Sequence, residues 1–175
     1  MKTLYLERSV GSGRDGAWTE SLDLADVGRI VVGTGPGSFA GIRSALAFAQ
    51  GYALGKPCEV LGLSSACALA GGGKLAVVGD ARRGKLWVAL FDGFQTVRDI
   101  FQVEQDALAA AVPDGFRVTT PDAARIDALL AETFGERYAG GQTPTAEGLR
   151  RYAEKNPSAL VAEPRPIYLN PAVRT

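Results

Sequence analysis

The chain has 175 residues, of which 46% are hydrophobic and 22% charged, and its 19 basic residues balance its 19 acidic ones. This length predicts one domain, or one domain with a small appendage, and the balanced charge excludes a globally positive surface that would hold nucleic acid. The sequence contains no histidine. That count excludes Ser–His–Asp and Cys–His catalysis, histidine-containing zinc sites and the HExxH protease helix.

The start of the chain and its cysteines predict a cytoplasmic protein without membrane contact. Cys58 and Cys67 lie in apolar surroundings, where free thiols in a reducing compartment are favoured over a disulfide. No apolar run approaches the ~18 residues that a membrane span needs. The opening "MKTLYLERSV" lacks the long apolar core of a signal peptide.

Apolar periodicity predicts strands and helices that alternate along the chain. In chain order we expect a strand at 3–7, a strand at 28–33, a helix at 41–55, a strand at 58–62, a short helix at 65–71, an antiparallel meander at 74–81, 85–92 and 96–103, a strand at 116–120, helices at 121–135 and 145–156, and an extended tail. Alternation interrupted by a meander indicates an α/β fold with a mixed sheet. We expect a weak domain boundary that separates residues 1–103 from a smaller C-terminal region, residues 104–175.

The stretch "GTGPGSFAGIR" follows the buried strand at 28–33 and opens the helix at 41–55. Backbone amides and the helix dipole favour an anion at such a junction. The phosphate motif GxxxxGK[ST] is absent, and the nearest dinucleotide pattern, from Gly35 through Gly37 to Gly41, is one residue longer than GxGxxG. The motif GxSxG also fails, because Pro36 and Ala40 take the glycine positions.

Two interpretations of this glycine-rich stretch therefore stay open. In the first, its backbone binds a phosphate group. In the second, Gly33, Gly35 and Gly37 shape a tight turn, Phe39 packs beneath it, and Gly41 lets the helix approach the sheet closely.

Further polar candidates have both functional and structural interpretations. Asp80 could hold a ligand or cap the turn "ARRG", and Arg82 belongs to a basic group at a hairpin tip that could meet RNA phosphates or face solvent. Arg43, one turn into the helix, could bind an anion or a partner's carboxylate, or be a surface arginine. The alanine-rich helix 41–54, with Gly51 in its interior, could pack on its own sheet and present a second face to a partner.

The segments "GTGPGSFAGIRSALAFAQGYALG" and "VLGLSSACALA" resemble the signature of the TsaB (YeaZ) family. Within the first segment the matching residues are Gly33, Gly35, Pro36, Gly37, Ser38, Phe39, Gly41 and Arg43. "VVGDARRGKLWVALFD" is similar to the family's "DAR" hairpin and places Asp80, Ala81 and Arg82 on it. The ending "PRPIYLNPAVR" resembles the family's closing motif, so the resemblance covers most of residues 28–92 and the tail.

The resemblance implies an actin-like ATPase (ASKHA, ribonuclease H-like) fold in a member without its own catalysis. It implies a partner of the TsaD type, with TsaE as a further component, in the threonylcarbamoyladenosine modification of tRNA, and tRNA contact only through the complex. It implies no cofactor, with ATP or ADP only at a partner interface. Metal ligands of the TsaD type cannot form, since histidine is absent.

The sequence departs from the family pattern in two places. "LERS" stands where the family has "DTS", so that Glu7 and Arg8 replace Asp and Thr, and we expect Arg8 to fill or neutralise a nucleotide site. Between Trp18 and the strand that contains Arg29, "TESLDLADVG" replaces a full helix. We therefore expect an abbreviated N-terminal region.

Three hypotheses for function follow. The leading one is a non-catalytic TsaB-like scaffold that binds a TsaD-type partner and forms a homodimer when alone. The second is a small nucleotide- or phosphate-binding enzyme that uses the 33–41 loop. The third is a degenerate paralogue that forms only a homodimer. For partner or anion binding, the candidate residues are Gly35, Pro36, Gly37, Ser38, Phe39, Arg43, Asp80 and Arg82.

Overall fold

The computed structural model describes residues 1–10 and 22–170. Backbone contacts divide the chain into a first unit, Met1–Ala68 with Pro144–Ile167, and a second unit, Leu69–Thr143 with Tyr168–Thr175. Each unit has its own mixed β-sheet, so the mixed sheet expected from the sequence is present as two sheets. The boundary expected at 103/104 falls within the second unit, and the domain division stays a prediction.

The helices and strands alternate as the sequence predicts. In chain order they are β1 (Lys2–Leu6), β2 (Val27–Gly33), α1 (Phe39–Gly55), β3 (Glu59–Leu63), a 3-10 helix (Ser65–Leu69), β4 (Lys74–Arg82), β5 (Lys85–Asp92), β6 (Gln95–Glu104), α2 (Leu108–Ala111), β7 (Arg117–Thr120), α3 (Ala123–Phe134), β8 (Tyr138–Gly141), α4 (Ala146–Lys155) and β9 (Val161–Ala162).

The first unit is built on a parallel sheet of β1, β2 and β3, and β9 pairs antiparallel with β3. Alternate residues of β2 point to opposite faces. Ile30 and Val32 pack with the buried face of α1. Val31 is also fully buried and points to the opposite face of the sheet. Helix α4 contacts β1 and β2. Burial on both faces explains why β2 reads as a continuous apolar run.

Helix α1 begins two residues before the predicted start, because Ser38 caps it. Its buried residues recur at helical spacing and are Gly41, Ile42, Ala45, Leu46 and Ala49. The side chains of Ile42, Ala45, Leu46 and Ala49 join the sheet in one apolar core. The sheet therefore fixes one face of α1 and leaves the opposite face exposed.

The second unit has the sheet order β6-β5-β4-β7-β8. Strands β4, β5 and β6 form the predicted antiparallel meander, and β7 and β8 continue the sheet in parallel with β4. Trp87 and Phe91 are buried, as expected for strand aromatics. Ile126, Leu130 and Phe134 of α3 pack into this unit's core.

Some local structure differs from the sequence-based expectation. The predicted helix 65–71 is a 3-10 helix of five residues. The strands β8 and β9 are not among those that the sequence predicts. The expected loss of a helix after Trp18 falls partly on residues 11–21, outside the described residues; residues 22–26 form no helix. Cys58 and Cys67 are free thiols, as predicted.

Candidate functional site

Residues Gly33–Ser38, here called the glycine corner, join the carboxyl end of β2 to the first turn of α1. Ser38 is the N-cap: its hydroxyl oxygen accepts a hydrogen bond from the amide of Gly41 at 3.2 Å. The first amides of a helix have no partner within the helix, so a capping side chain satisfies one of them. The glycine corner thus sets the residue at which α1 begins.

The segment Glu7–Ser9, which follows β1, packs against the glycine corner. Strands β1 and β2 are parallel and pair Leu6 with Val32, so their carboxyl ends leave the sheet side by side. The amide of Ser38 donates a hydrogen bond to the carbonyl oxygen of Ser9 at 2.6 Å. An amide at the helix start is therefore bonded to the protein's own backbone.

This packing explains two of the glycines. A Cβ atom on Gly37 would lie under 3.0 Å from the backbone of Ser9. A Cβ atom on Gly41 would lie under 3.0 Å from the carbonyl oxygen of Arg8, a separation that real Cβ atoms essentially never show. Gly41 therefore permits close approach of α1 to the segment after β1, where the sequence suggested an approach to the sheet.

The carboxylate of Glu7 lies inside the glycine corner. Its Oε1 accepts a hydrogen bond from the amide of Ser9 at 2.6 Å, while its Oε2 is shielded from solvent and lies where a Cβ of Gly33 would be. Burial raises the pKa of Glu7 above its ordinary value, although hydrogen bonds with Ser9, Ser65 and the backbone of Arg8 act in the opposite direction. The glycine corner thus holds an acidic group of the protein itself.

The segment after β3 closes the other side of the glycine corner. The amide of Gly35 donates to Oγ of Ser65 at 3.0 Å, and the carbonyl of Gly35 accepts from the amide of Ser65 at 2.8 Å and from the hydroxyl of Ser64 at 3.2 Å. Gly35 has a φ of +93°, which favours glycine. Pro36 is buried beside it. Both polar backbone groups of Gly35 are therefore engaged within the chain.

Phe39 and Arg43 form an exposed pair on the first two turns of α1. The Phe39 side chain is 55% exposed, and the guanidinium carbon of Arg43 lies 4.8 Å from the centre of its ring, within range of a cation–π interaction. The expectation that Phe39 packs beneath the turn is wrong. Ile42 takes that place, with its Cδ1 against Gly35.

Asp80 and Arg82 lie at the end of β4 in the second unit. Oδ1 of Asp80 accepts a hydrogen bond from the amide of Arg82 at 2.7 Å, and Oδ2 lies 3.5 Å from the guanidinium of Arg82 and 3.8 Å from that of Arg125. The amide of Asp80 donates to the carboxylate of Asp122 at 2.9 Å. Asp80 therefore caps the turn, as its structural interpretation expects, while ligand binding by this group stays a prediction.

The predicted site residues fall into two groups. Those at the start of α1 are Gly35, Pro36, Gly37, Ser38, Phe39 and Arg43, and those of the second unit are Asp80 and Arg82. Sequence reasoning missed the carbonyl of Ser9 and the hydroxyl of Ser65. Their positions directly after β1 and β3 were the available signal, because parallel strands bring their carboxyl ends to one edge of a sheet.

Two further properties are established for residues 1–10 and 22–170. None of the helices in these ranges is long and apolar enough to cross a bilayer. Within the same ranges, no three His, Cys, Asp or Glu side chains are grouped so that they could hold a metal ion. The polar contacts described above for the glycine corner come from one carboxylate, from hydroxyl groups and from backbone groups.

The sheet topology defines the class of protein. In the second unit, an antiparallel meander continued by two parallel strands is the ribonuclease H-like pattern. The first unit repeats its parallel portion with β1, β2 and β3, and its described residues contain no counterpart of β5 and β6. Two such units define the actin-like ATPase (ASKHA) fold, and the abbreviated N-terminal region stays a prediction because residues 11–21 lie outside the described residues.

A family model described as TsaD: tRNA N6-adenosine threonylcarbamoyltransferase matches residues 18–155. The match covers most of the chain, and the chain belongs to this family. The solved structure of YeaZ from Pseudomonas aeruginosa is similar, with a TM-score of 0.70 at 19% identity over 95% of this chain and 99% of that one. The resemblance to TsaB (YeaZ) is confirmed.

Curated relatives match a shorter stretch. An uncharacterized protein of Mycobacterium tuberculosis is 44% identical over 82 residues, which are 44% of this chain and 38% of the relative. The tRNA threonylcarbamoyladenosine biosynthesis protein TsaB of Escherichia coli is 30% identical over 92 residues, which are 49% of this chain and 40% of that protein. The matched stretch thus spans less than half the length of these relatives.

Proposed function

We propose that the chain is a non-catalytic, TsaB-like subunit that binds a TsaD-type partner in the threonylcarbamoyladenosine modification of tRNA. Family membership and the likeness to TsaB support the pathway. The absence of histidine supports the non-catalytic role, because metal ligands of the TsaD type cannot form. TsaE is proposed as a further component, with tRNA contacted only through the complex.

The exposed face of α1 is the observation that carries the proposal. This outer face consists of Phe39, Arg43, Ala47, Gln50, Gly51 and Leu54, all exposed. At about 100° per residue they fall within a sector of about 120°, opposite the buried face, and span about 23 Å along the axis. The outer face is therefore continuous and has the length of a helix-packing surface.

The chemistry of the outer face suits a helix of a protein partner. Ala47 near the middle of the outer face and Gly51 one turn further along let another helix approach closely. At its ends stand Phe39 and Leu54, 55% and 91% exposed, which are apolar anchors for partner pockets. Arg43 can bind a partner carboxylate through charge-assisted hydrogen bonds. Aromatic and arginine side chains of this kind contribute strongly to interface energies.

Mixing the purified chain with the TsaD paralogue of its genome and measuring the mass of the complex tests the proposal. We expect a complex at micromolar concentrations, weakened at least about tenfold, or about 1.4 kcal/mol, by Ala47→Arg at the centre of the outer face. Ala128→Arg is the matched control, because Ala128 is an exposed alanine of α3. The control should bind as the wild type does.

Three results decide between the hypotheses. No complex at micromolar concentrations, or equal loss in both arginine variants, contradicts binding through the outer face. If the chain alone has the mass of a dimer and Ala47→Arg has the mass of a monomer, the chain forms a homodimer through the same face. If the chain alone has the mass of a dimer and forms no complex with the TsaD paralogue, the third hypothesis is favoured, in which this chain is a degenerate paralogue that forms only a homodimer.

A further inference from the structure

The actin-like class contains ATPases, so the glycine corner has to be compared with what a nucleotide phosphate requires. A phosphate at a helix start needs backbone amides that point to it and a neutral or positive environment. It also needs room next to the backbone, which glycine provides. By itself, the spacing of Gly33, Gly35 and Gly37 provides only the room next to the backbone.

Three amides in and next to the glycine corner already have partners within the chain. The amide of Ser38 donates to the carbonyl of Ser9, and the amide of Gly35 donates to the hydroxyl of Ser65. The amide of Gly41 donates to the hydroxyl of Ser38. A phosphate would have to displace these internal hydrogen bonds before it could use the same donors.

The space of the glycine corner is also taken, by an acidic side chain and by backbone of the same chain. The room beside Gly33 contains the carboxylate of Glu7, whose Oε2 is shielded from solvent. The room beside Gly37 contains the backbone of Ser9. An entering phosphate would meet a steric obstacle and an acidic side chain in place of a donor.

We infer that Glu7 and the carbonyl of Ser9 occupy the position at which the glycine corner would receive a phosphate, so that the first unit excludes nucleotides there. Glu7 is the residue that determines this exclusion, because its side chain fills the room beside Gly33. The glycines serve the packing of the protein's own segment. This inference disfavours the nucleotide- or phosphate-binding hypothesis for the 33–41 loop, and the titration below tests it.

The test is a titration of the isotopically labelled chain with magnesium–ADP and with inorganic phosphate, followed by amide NMR. In the wild type we expect no saturable shift of the amides from Gly35 to Phe39 at millimolar ligand. Glu7→Ser removes the bulk and the carboxyl group and should produce saturable shifts of these amides with phosphate. Glu7→Gln keeps the bulk and should behave as the wild type.

Glu59→Ser is the matched control, because it removes another carboxylate of the first unit, at the exposed end of β3 that pairs with Arg29. With phosphate, this variant should show no saturable shift of the amides of the glycine corner. Saturable shifts there in the wild type overturn the inference whether or not Glu7→Ser folds. A folded Glu7→Ser variant whose amides show no saturable shift with phosphate overturns the inference as well. Neither outcome affects binding through the outer face of α1, so failure here is distinguishable from failure of the proposed function.

Discussion

Two glycines of the same helix, Gly41 and Gly51, provide a direct test of the packing around the glycine corner. Both lie in α1, where alanine is ordinarily the better residue. A Cβ on Gly41 would collide with the carbonyl oxygen of Arg8, while one on Gly51 would have nothing within 4 Å. The same chemical change, glycine to alanine, is therefore expected to have opposite effects at the two positions.

The magnitudes follow from helix propensity and overpacking. Gly51→Ala should stabilise the first unit by about 0.5–1 kcal/mol, because alanine loses less backbone entropy in a helix. At Gly41 the obstacle is backbone, which cannot swing aside as the end of a side chain can. Overpacking of this kind costs about 1–3 kcal/mol, so Gly41→Ala should be destabilising by roughly 1–2 kcal/mol after the propensity gain.

Hydrogen exchange of the α1 amides is the suitable measurement, since it reports the local opening of this helix separately from the second unit. Urea unfolding followed by far-ultraviolet circular dichroism provides the global value. We expect slower exchange of these amides in Gly51→Ala and faster exchange in Gly41→Ala. Equal stabilisation in both variants would refute the close approach of α1 to the segment after β1.

Two other substitutions test single contacts. Because burial raises the pKa of Glu7, its carboxyl stabilises the fold fully below the ordinary value of about 4.3 and loses that contribution as the pH rises through the raised value. The unfolding free energy of Glu7→Gln minus that of the wild type should therefore grow as the pH rises above the ordinary value. A difference in urea melts that does not change with pH would contradict a buried carboxyl with a raised pKa. Asp80→Ala removes the acceptor of the Arg82 amide and should lower stability by about 0.5–1.5 kcal/mol without changing the mass of the partner complex. Loss of the complex at unchanged stability would instead assign Asp80 to binding.

Most of the fold could be predicted because its signals are local. The run before Gly33 is apolar throughout, as in a strand buried on both faces, and the meander alternates around turns such as "ARRG" and Asp92-Gly93. Helices α3 and α4 begin and end within two residues of the prediction. The two-residue strand β9 pairs with β3 across about a hundred residues of sequence. Nothing within so short a strand could indicate that pairing.

The candidate site was less predictable, because its contacts join three separate stretches of the chain. The sequence identifies the glycines and the departure at Glu7 and Arg8, and its expectation that Arg8 fills or neutralises a nucleotide site stays a prediction. The structure places the Glu7 carboxylate against Gly33, a choice of side chain that depends on the direction of the chain after β1. Alternation within β1 alone does not settle that direction, since the strand ends at Leu6.

A glycine-rich corner at a helix start has two physical uses that the glycine spacing cannot distinguish. In one, missing side chains make room for a ligand, and in the other they make room for the protein's own backbone. The deciding residues lie outside the motif, here Glu7 and Ser9. Because that segment bonds to Ser38 and packs on Gly41, the start of α1 is anchored to both β1 and β2. An anchored helix loses little further conformational freedom on binding, so a filled glycine corner favours partner recognition by the outer face of α1.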